Sequence, residues 1–210
     1  MEAEFWHDKW EANQIGFHKD TVNPLLIEHL PSLGLAPGAR VFVPLCGKTL
    51  DIPWLLEQGY SVAGAELSAR AVDQLFAGMG AAPEVTESGD LSRYAAEGVD
   101  VFAGDIFDLT AAALGPVDAI YDRAALVALP ADMRARYAAH LAEITGRAQQ
   151  LLITFGYDQS EMDGPPFSVP PEEVARVHGA RYVMEPLHRG PVSGGLKGRV
   201  EAEETVWRLT

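Results

Sequence analysis

From residue 39 onward the chain alternates short apolar runs with longer stretches in which apolar residues recur every three or four positions. The runs at 40–45, 61–66, 100–104, 117–121 and 150–155 are apolar or β-branched and too short for buried helices, which predicts strands. Helical spacing predicts helices over 49–58, 68–79 and 131–145, with a short turn near 109–114 and Ser68 as an N-cap. This alternation marks βαβ units, so the predicted fold class is α/β, a doubly wound, mostly parallel, Rossmann-like sheet. Segments 181–187 and 201–209 read as strands with little helix between them, which predicts an antiparallel hairpin at one sheet edge. The first 38 residues stand outside the pattern. There 5–11 and 23–33 look helical, joined by Asn13-Gln14-Ile15-Gly16-Phe17-His18, and are expected to form an N-terminal lid over a βα core of 39–210. No repeat, low-complexity tract or long linker divides the chain, so one domain is expected.

A domain of 210 residues buries about 70% of the surface its unfolded chain exposes, so no covalent staple is required. Cys46 is the sole cysteine, which excludes an internal disulfide and a cysteine zinc cage and fits a reducing compartment; the cytoplasm is expected. Thirty acidic against sixteen basic residues give a net charge of -14, which would repel a nucleic-acid partner. Residues 1–10 carry Glu2, Glu4, Asp8 and Lys9 where a signal peptide would need a basic then apolar run, and no stretch of about 18 apolar residues suggests a membrane span. The six histidines show no metal-ligand spacing, so no metal is expected. The expected partner is a small molecule and the expected state a monomer.

In an open doubly wound sheet, ligands bind at the carboxyl ends of the strands, where loop amides and helix N-termini converge. Gly47-Lys48-Thr49 resembles the close of a phosphate loop, but that motif needs a glycine where this chain has Phe42. The dinucleotide fingerprint also fails, because Gly47 is the only glycine in its turn. Glu66 follows Gly47 by nineteen residues at the end of the next strand, where a carboxylate can accept from both ribose hydroxyls. Asp105 closes the third strand, and its carboxylate or the amide of Ile106 can meet an adenine edge. Together these strand ends describe an adenosine site. Taken singly, each has a structural alternative: a turn glycine, a solvated glutamate, a capping aspartate.

The flanks separate a nicotinamide enzyme from a methyltransferase. Phe5-Trp6-His7-Asp8-Lys9-Trp10 with Asn13 to His18 resembles the N-terminal signature of the thiopurine S-methyltransferase family. Val43-Pro44-Leu45-Cys46-Gly47-Lys48, Ala65-Glu66-Leu67-Ser68 and Asp122-Arg123-Ala124-Ala125-Leu126 are similar to its first, second and fourth strand ends. The stretch from Tyr157 through Gly164-Pro165-Pro166-Phe167 to Pro170 resembles the loop after its fifth. The resemblance runs in order from about residue 4 to residue 176. It implies a class I methyltransferase sheet with S-adenosylmethionine held by Trp10, Leu45, Glu66, Arg123 and the Asp105-Ile106 pair. Phe17 matches a position that faces the acceptor, and Arg123 would reach either the cofactor carboxylate or an anionic acceptor, acting in catalysis in the second case. Implied acceptors are small aromatic or heterocyclic thiols or thiones, or selenium and tellurium species, in detoxification; related thiol and halide methyltransferases share parts of the pattern. The segment Pro191 to Arg199 departs from it, leaving open whether Arg189 or Arg199 contacts the acceptor. The rival classes are an NAD(P)-linked oxidoreductase and a non-catalytic adenosine-binding module.

Overall fold

The computed structural model describes residues 3–16 and 18–210. Its frame is a nine-stranded sheet. In chain order the strands are β1 (Arg40–Pro44), β2 (Ser61–Glu66), β3 (Glu84–Ser88), β4 (Leu91–Ala96), β5 (Val99–Ala103), β6 (Ala119–Arg123), β7 (Gln149–Gly156), β8 (Met184–Pro191) and β9 (Glu203–Leu209). In space they run β3-β4-β5-β2-β1-β6-β7-β9-β8. The five central strands, β5 to β7, are mutually parallel. Antiparallel β4 and β3 flank one side, and antiparallel β9, with β8 antiparallel to it, the other. Strand order reverses at β1, which lies between β2 and β6, so the crevice over β1 and β6 is where ligands of such sheets bind.

The helices are α1 (Ala3–Glu11), α2 (Pro24–His29), α3 (Asp51–Glu57), α4 (Ala69–Gly78), α5 (Ala111–Leu114), α6 (Ala131–Ile144) and α7 (Pro171–His178). One sheet face packs Phe42, Ile120 and Leu152 against Tyr137 and Leu141 of α6. The other packs Val41, Tyr121 and Ile153 against Leu26 of α2, Ile52 of α3 and Val72 of α4. Burial on both faces is why the central strands read as continuous apolar runs instead of alternating ones.

Four sequence expectations need correction. The hairpin β3–β4 was not foreseen, because β3 packs almost nothing: Glu84 to Glu87 are exposed and the segment lacks an apolar signature. Helix α7 was also not foreseen, although Pro171 in its first turn, Glu172 and Glu173 there, and Arg176 and His178 in its last turn are helix signals. The last hairpin pairs antiparallel, but its first strand starts at Met184 and continues to Pro191 past an irregularity between Pro186 and His188. Residues 23–33 form α2 followed by a tight turn, Leu30–Leu33, whose Leu30 and Leu33 are buried with Leu26 in the sheet face, so this part of the expected lid is core. It is pinned there by Asp51, whose carboxylate accepts from the Asn23 amide at 2.8 Å and the Tyr121 hydroxyl at 3.0 Å. Among the described residues, no helix is long and apolar enough to cross a membrane and no cluster of His, Cys, Asp or Glu is arranged to hold a metal.

Candidate active site

The turn after β1 is shaped by two residues in the left-handed region, Leu45 at φ 47° and Gly47 at φ 54°. A leucine there is uncommon for steric reasons, and such strain persists where surrounding contacts enforce it. The turn is tied down by Glu66, at the end of β2 and 7% exposed. Its two carboxylate oxygens accept from the amides of Gly47, at 2.8 Å, and Ser68, at 2.9 Å. One carboxylate thus ties together the turns that follow β1 and β2. Burial lifts its pKa above the usual carboxylate value, against the pull of the Ser68, Gly47 and Leu67 amides. The carboxylate has about four acceptor sites, and with the Gly47, Ser68 and Leu67 amides on it capacity remains for about one more donor such as a ribose hydroxyl.

Trp10, at the end of α1 and 3% exposed, lies over this turn. A Cβ built on Gly47 would stand 3.1 Å from Trp10 Cζ2. Glycine is therefore required twice, for its dihedral and for the indole above it. Gly47→Ala is expected to lower stability by about 1–2 kcal/mol, the cost of a left-handed alanine, with displacement of the indole in addition. Urea unfolding checks this; an unchanged midpoint would show that the turn relaxes freely.

The neighbouring strand ends complete the rim. After β5, Gly104 donates its amide to the Glu66 carbonyl at 2.9 Å, which brings Asp105 beside the β2 turn. Asp105 is exposed and caps a short turn, accepting from the Phe107 amide at 3.0 Å, while Ile106 is buried and its carbonyl lies 2.8 Å from His140 Nε2. Asp105 thus does the capping work that was its structural alternative, with its second oxygen not used in that cap. At the end of β6, Asp122 is fully buried; its carboxylate accepts from the Leu126 amide at 3.0 Å and the Tyr137 hydroxyl at 2.8 Å. That anchors the chain reversal at Ala124, another left-handed residue at φ 61°. Between them Arg123 is half-buried and close enough to act electrostatically on His18, Tyr121 and Glu204.

The structure thus gathers Trp10, Leu45, Glu66, Asp105, Ile106 and Arg123 along four adjacent strand ends, β5-β2-β1-β6. Phe17 lies outside the described residues. Of the two arginines left open, Arg189 pairs with Glu203, whereas Arg199 lines an open cleft of about 790 Å³ beside Gly156 at the end of β7, with Val192, Gly195 and Glu203. The loop after β7 closes that side: Tyr157 Oη donates to the Pro166 carbonyl at 2.6 Å, and the Phe167 amide donates to Val127 of the turn after β6 at 2.7 Å. Sequence reasoning missed Asp51 and Asp122 as anchors because Asn23, Tyr121 and Tyr137 reach them across long stretches of chain, and it missed Glu204 because only the sheet order brings it within reach of Arg123.

The thiopurine S-methyltransferase family profile matches residues 1–209. The chain belongs to the thiopurine S-methyltransferase family. A protein of Xanthobacter autotrophicus named thiopurine S-methyltransferase is 60% identical over 210 residues, covering all of this chain and 99% of its own length. One of the same name from Teredinibacter turnerae is 52% identical, covering all of this chain and 98% of its own. Among solved structures, a Burkholderia thailandensis 1,6-didemethyltoxoflavin-N1-methyltransferase, bound to 1,6-didemethyltoxoflavin and S-adenosylhomocysteine, aligns with a TM-score of 0.67 at 18% identity, over 99% of this chain and 87% of that one. A methyltransferase from Anabaena variabilis aligns with a TM-score of 0.63 at 13% identity, over 99% of this chain and 95% of that one. These last two establish the fold, a class I methyltransferase sheet. Like its family, the chain is an S-adenosylmethionine-dependent methyltransferase, and the oxidoreductase reading is set aside. The site fits that cofactor chemically: a glycine turn that a Cβ would block, an indole above it, and a buried carboxylate with acceptor capacity left.

Proposed function

We propose that this methyltransferase acts on the sulfur of a small thiol or thione borne on an aromatic or heterocyclic ring, with selenium or tellurium species as other acceptors. Bound S-adenosylmethionine supplies the electrophilic methyl group. The chain supplies everything else. Glu66 would hold the ribose, the Leu45 backbone and the Asp105-Ile106 pair the rest of the nucleoside, and the Trp10 face would sit near the cationic sulfonium. Arg123 would lower the acceptor's pKa, raising the thiolate fraction, since the thiolate is the competent nucleophile. The carrying observation is the placement of Arg123. In a chain of net charge -14 it stands half-buried at the switch-point rim, where it and Lys48 both act electrostatically on His18, so that burial and the two charges hold the His18 pKa below the usual value. Two cations converging on one point of an acidic chain suit a small anion and not a large polyanion, so we read the partner as a small molecule, with no nucleic acid or membrane involved, and the protein as a cytoplasmic monomer.

The test has two parts. S-adenosylhomocysteine should raise the melting temperature by mass action on the native state while NAD does not. The protein with S-adenosylmethionine should then methylate thiophenol and not phenol. Methylation of phenol at an equal rate would refute the sulfur acceptor.

A further inference from the structure

The strand register places one unassigned carboxylate on the same sheet face as Arg123, two strands away. Arg123 pairs with Ile153, Ile153 with Val206 and Val206 with His188, so these residues form a row across β6, β7, β9 and β8. Glu204 is two residues from Val206 and therefore on the same face, about 7 Å nearer the carboxyl end of β7, opposite Phe155. It is half-buried and within electrostatic reach of Arg123, His188 and Lys19. Lys19 continues the N-terminal segment past His18, which itself feels Arg123, Lys48 and Asp20. Among the described residues no donor holds the Glu204 carboxylate in a hydrogen bond, whereas neighbouring Glu203 pairs with Arg189. A partly buried carboxylate without a donor is costly to keep ionised, and burial lifts its pKa above the usual carboxylate value against the opposing pull of Arg123, His188 and Lys19.

Methylating a thiol releases one proton per turnover, and Arg123 cannot take it, because a guanidinium carries donors only. We propose that Glu204 is the residue that takes the proton from the acceptor thiol. This rests on the sulfur acceptor proposed above. The S–H bond breaks with its electron pair left on sulfur, and the proton passes to a Glu204 oxygen. A sulfur lone pair forms the new S–CH3 bond, the pair of the broken methyl–sulfonium bond stays with the departing thioether, and Glu204 then releases its proton to water. Arg123 stabilises the sulfur anion as it forms, while Glu204 removes what would hold it neutral. His188 sits one strand further out, beside His29 at a ring separation of 5.8 Å.

Two measurements test this on the full chain. The first is calorimetry of a nitro-substituted thiophenol, added as its thiolate to the S-adenosylhomocysteine complex, in buffers of different ionisation enthalpy. Thiolate binding beside Glu204 should draw a proton onto the carboxylate, seen as net proton uptake; Glu204→Gln should abolish the uptake and Glu204→Asp should keep part of it. The second is single-turnover methylation of thiophenol against pH, where Glu204→Gln should be slowed by about 10²-fold at low pH, with the deficit shrinking as pH rises past the thiol's own pKa. Unchanged proton uptake with a pH-flat deficit would overturn the assignment and leave Glu204 a partner that orders Arg123. A pH-dependent deficit found in His18→Gln but not in Glu204→Gln would overturn it in favour of the histidine. Wild-type protein that binds S-adenosylhomocysteine yet methylates no thiol would instead defeat the sulfur-acceptor reading.

Discussion

Glu66→Ala is expected to weaken S-adenosylhomocysteine binding by about one to two decades and to destabilise the protein without ligand by about 1–3 kcal/mol. The two losses have separate causes. A charge-assisted bond to a ribose hydroxyl is worth about 1.5–3 kcal/mol, which sets the loss in affinity. The loss in stability follows because the same carboxylate is the acceptor for the buried amides of Gly47 and Ser68, and donors left without a partner carry their desolvation cost. The cost is moderated because alanine also relieves the burial of an ionised group. Glu66→Gln sharpens the comparison. A glutamine oxygen satisfies one amide and its NH2 group faces the other donor head on, so it should destabilise although it fills the same volume. Calorimetry with S-adenosylhomocysteine and urea unfolding of the free protein measure the two effects independently. A fall in stability with unchanged affinity would make Glu66 a turn anchor only, and the ribose would have to be held elsewhere.

That double role shows which parts of the molecule were legible in the sequence. The strand ends carrying Leu45, Glu66 and Asp105 were readable because a strand followed by a turn and a helix has a local signature, and the sheet order then makes those ends neighbours. The motif-level resemblance added the positions of Trp10 and Arg123. What each side chain touches was not readable. Glu66 and Gly47 are nineteen residues apart, and their hydrogen bond depends on the register of β1 with β2, Pro44 against Ala65. Glu204 was hidden for the same reason: in the run Glu203-Glu204-Thr205-Val206-Trp207 two adjacent glutamates look alike, yet the pleat sends one towards Arg189 and the other towards Arg123. Strand β3 escaped because it buries nothing, and periodicity detects burial. Helix α7 carries end signals, but its eight residues are too short a run for three- and four-residue spacing to stand out.

The second large effect is on acid stability, where two buried groups oppose each other. His178, at the end of α7, is fully buried, and among the described residues neither ring nitrogen has a hydrogen-bond partner. Burial, aided by the charge of Arg181, pushes its pKa down to about 4 from an ordinary 6.5. The unfolded chain therefore binds a proton that the folded one refuses between those values. The stability His178 contributes is complete above pH 6.5 and is lost, by about 3 kcal/mol, as pH falls to 4. Asp122 behaves in the opposite sense. Burial raises its pKa from 3.8 to about 6, so its contribution is present below 3.8 and is lost, by about 3 kcal/mol, as pH rises through 6. The windows overlap almost completely, and the wild type should show little net change from this pair between pH 7 and 4. Each substitution should uncover the other group. His178→Leu fills the apolar site without a titrating ring, and its stability relative to wild type should rise by about 3 kcal/mol on going from pH 7 to 4. Asp122→Asn keeps an acceptor for the Leu126 amide and leaves the Tyr137 hydroxyl a partner, and its stability relative to wild type should fall by a similar amount over the same range. Urea unfolding at pH 7, 5.5 and 4 resolves these slopes, because differences between variant and wild type cancel every other titrating group. A pH-independent difference for His178→Leu would mean that its ring is protonated or hydrated in the folded protein, and the pairing of opposed slopes would be wrong.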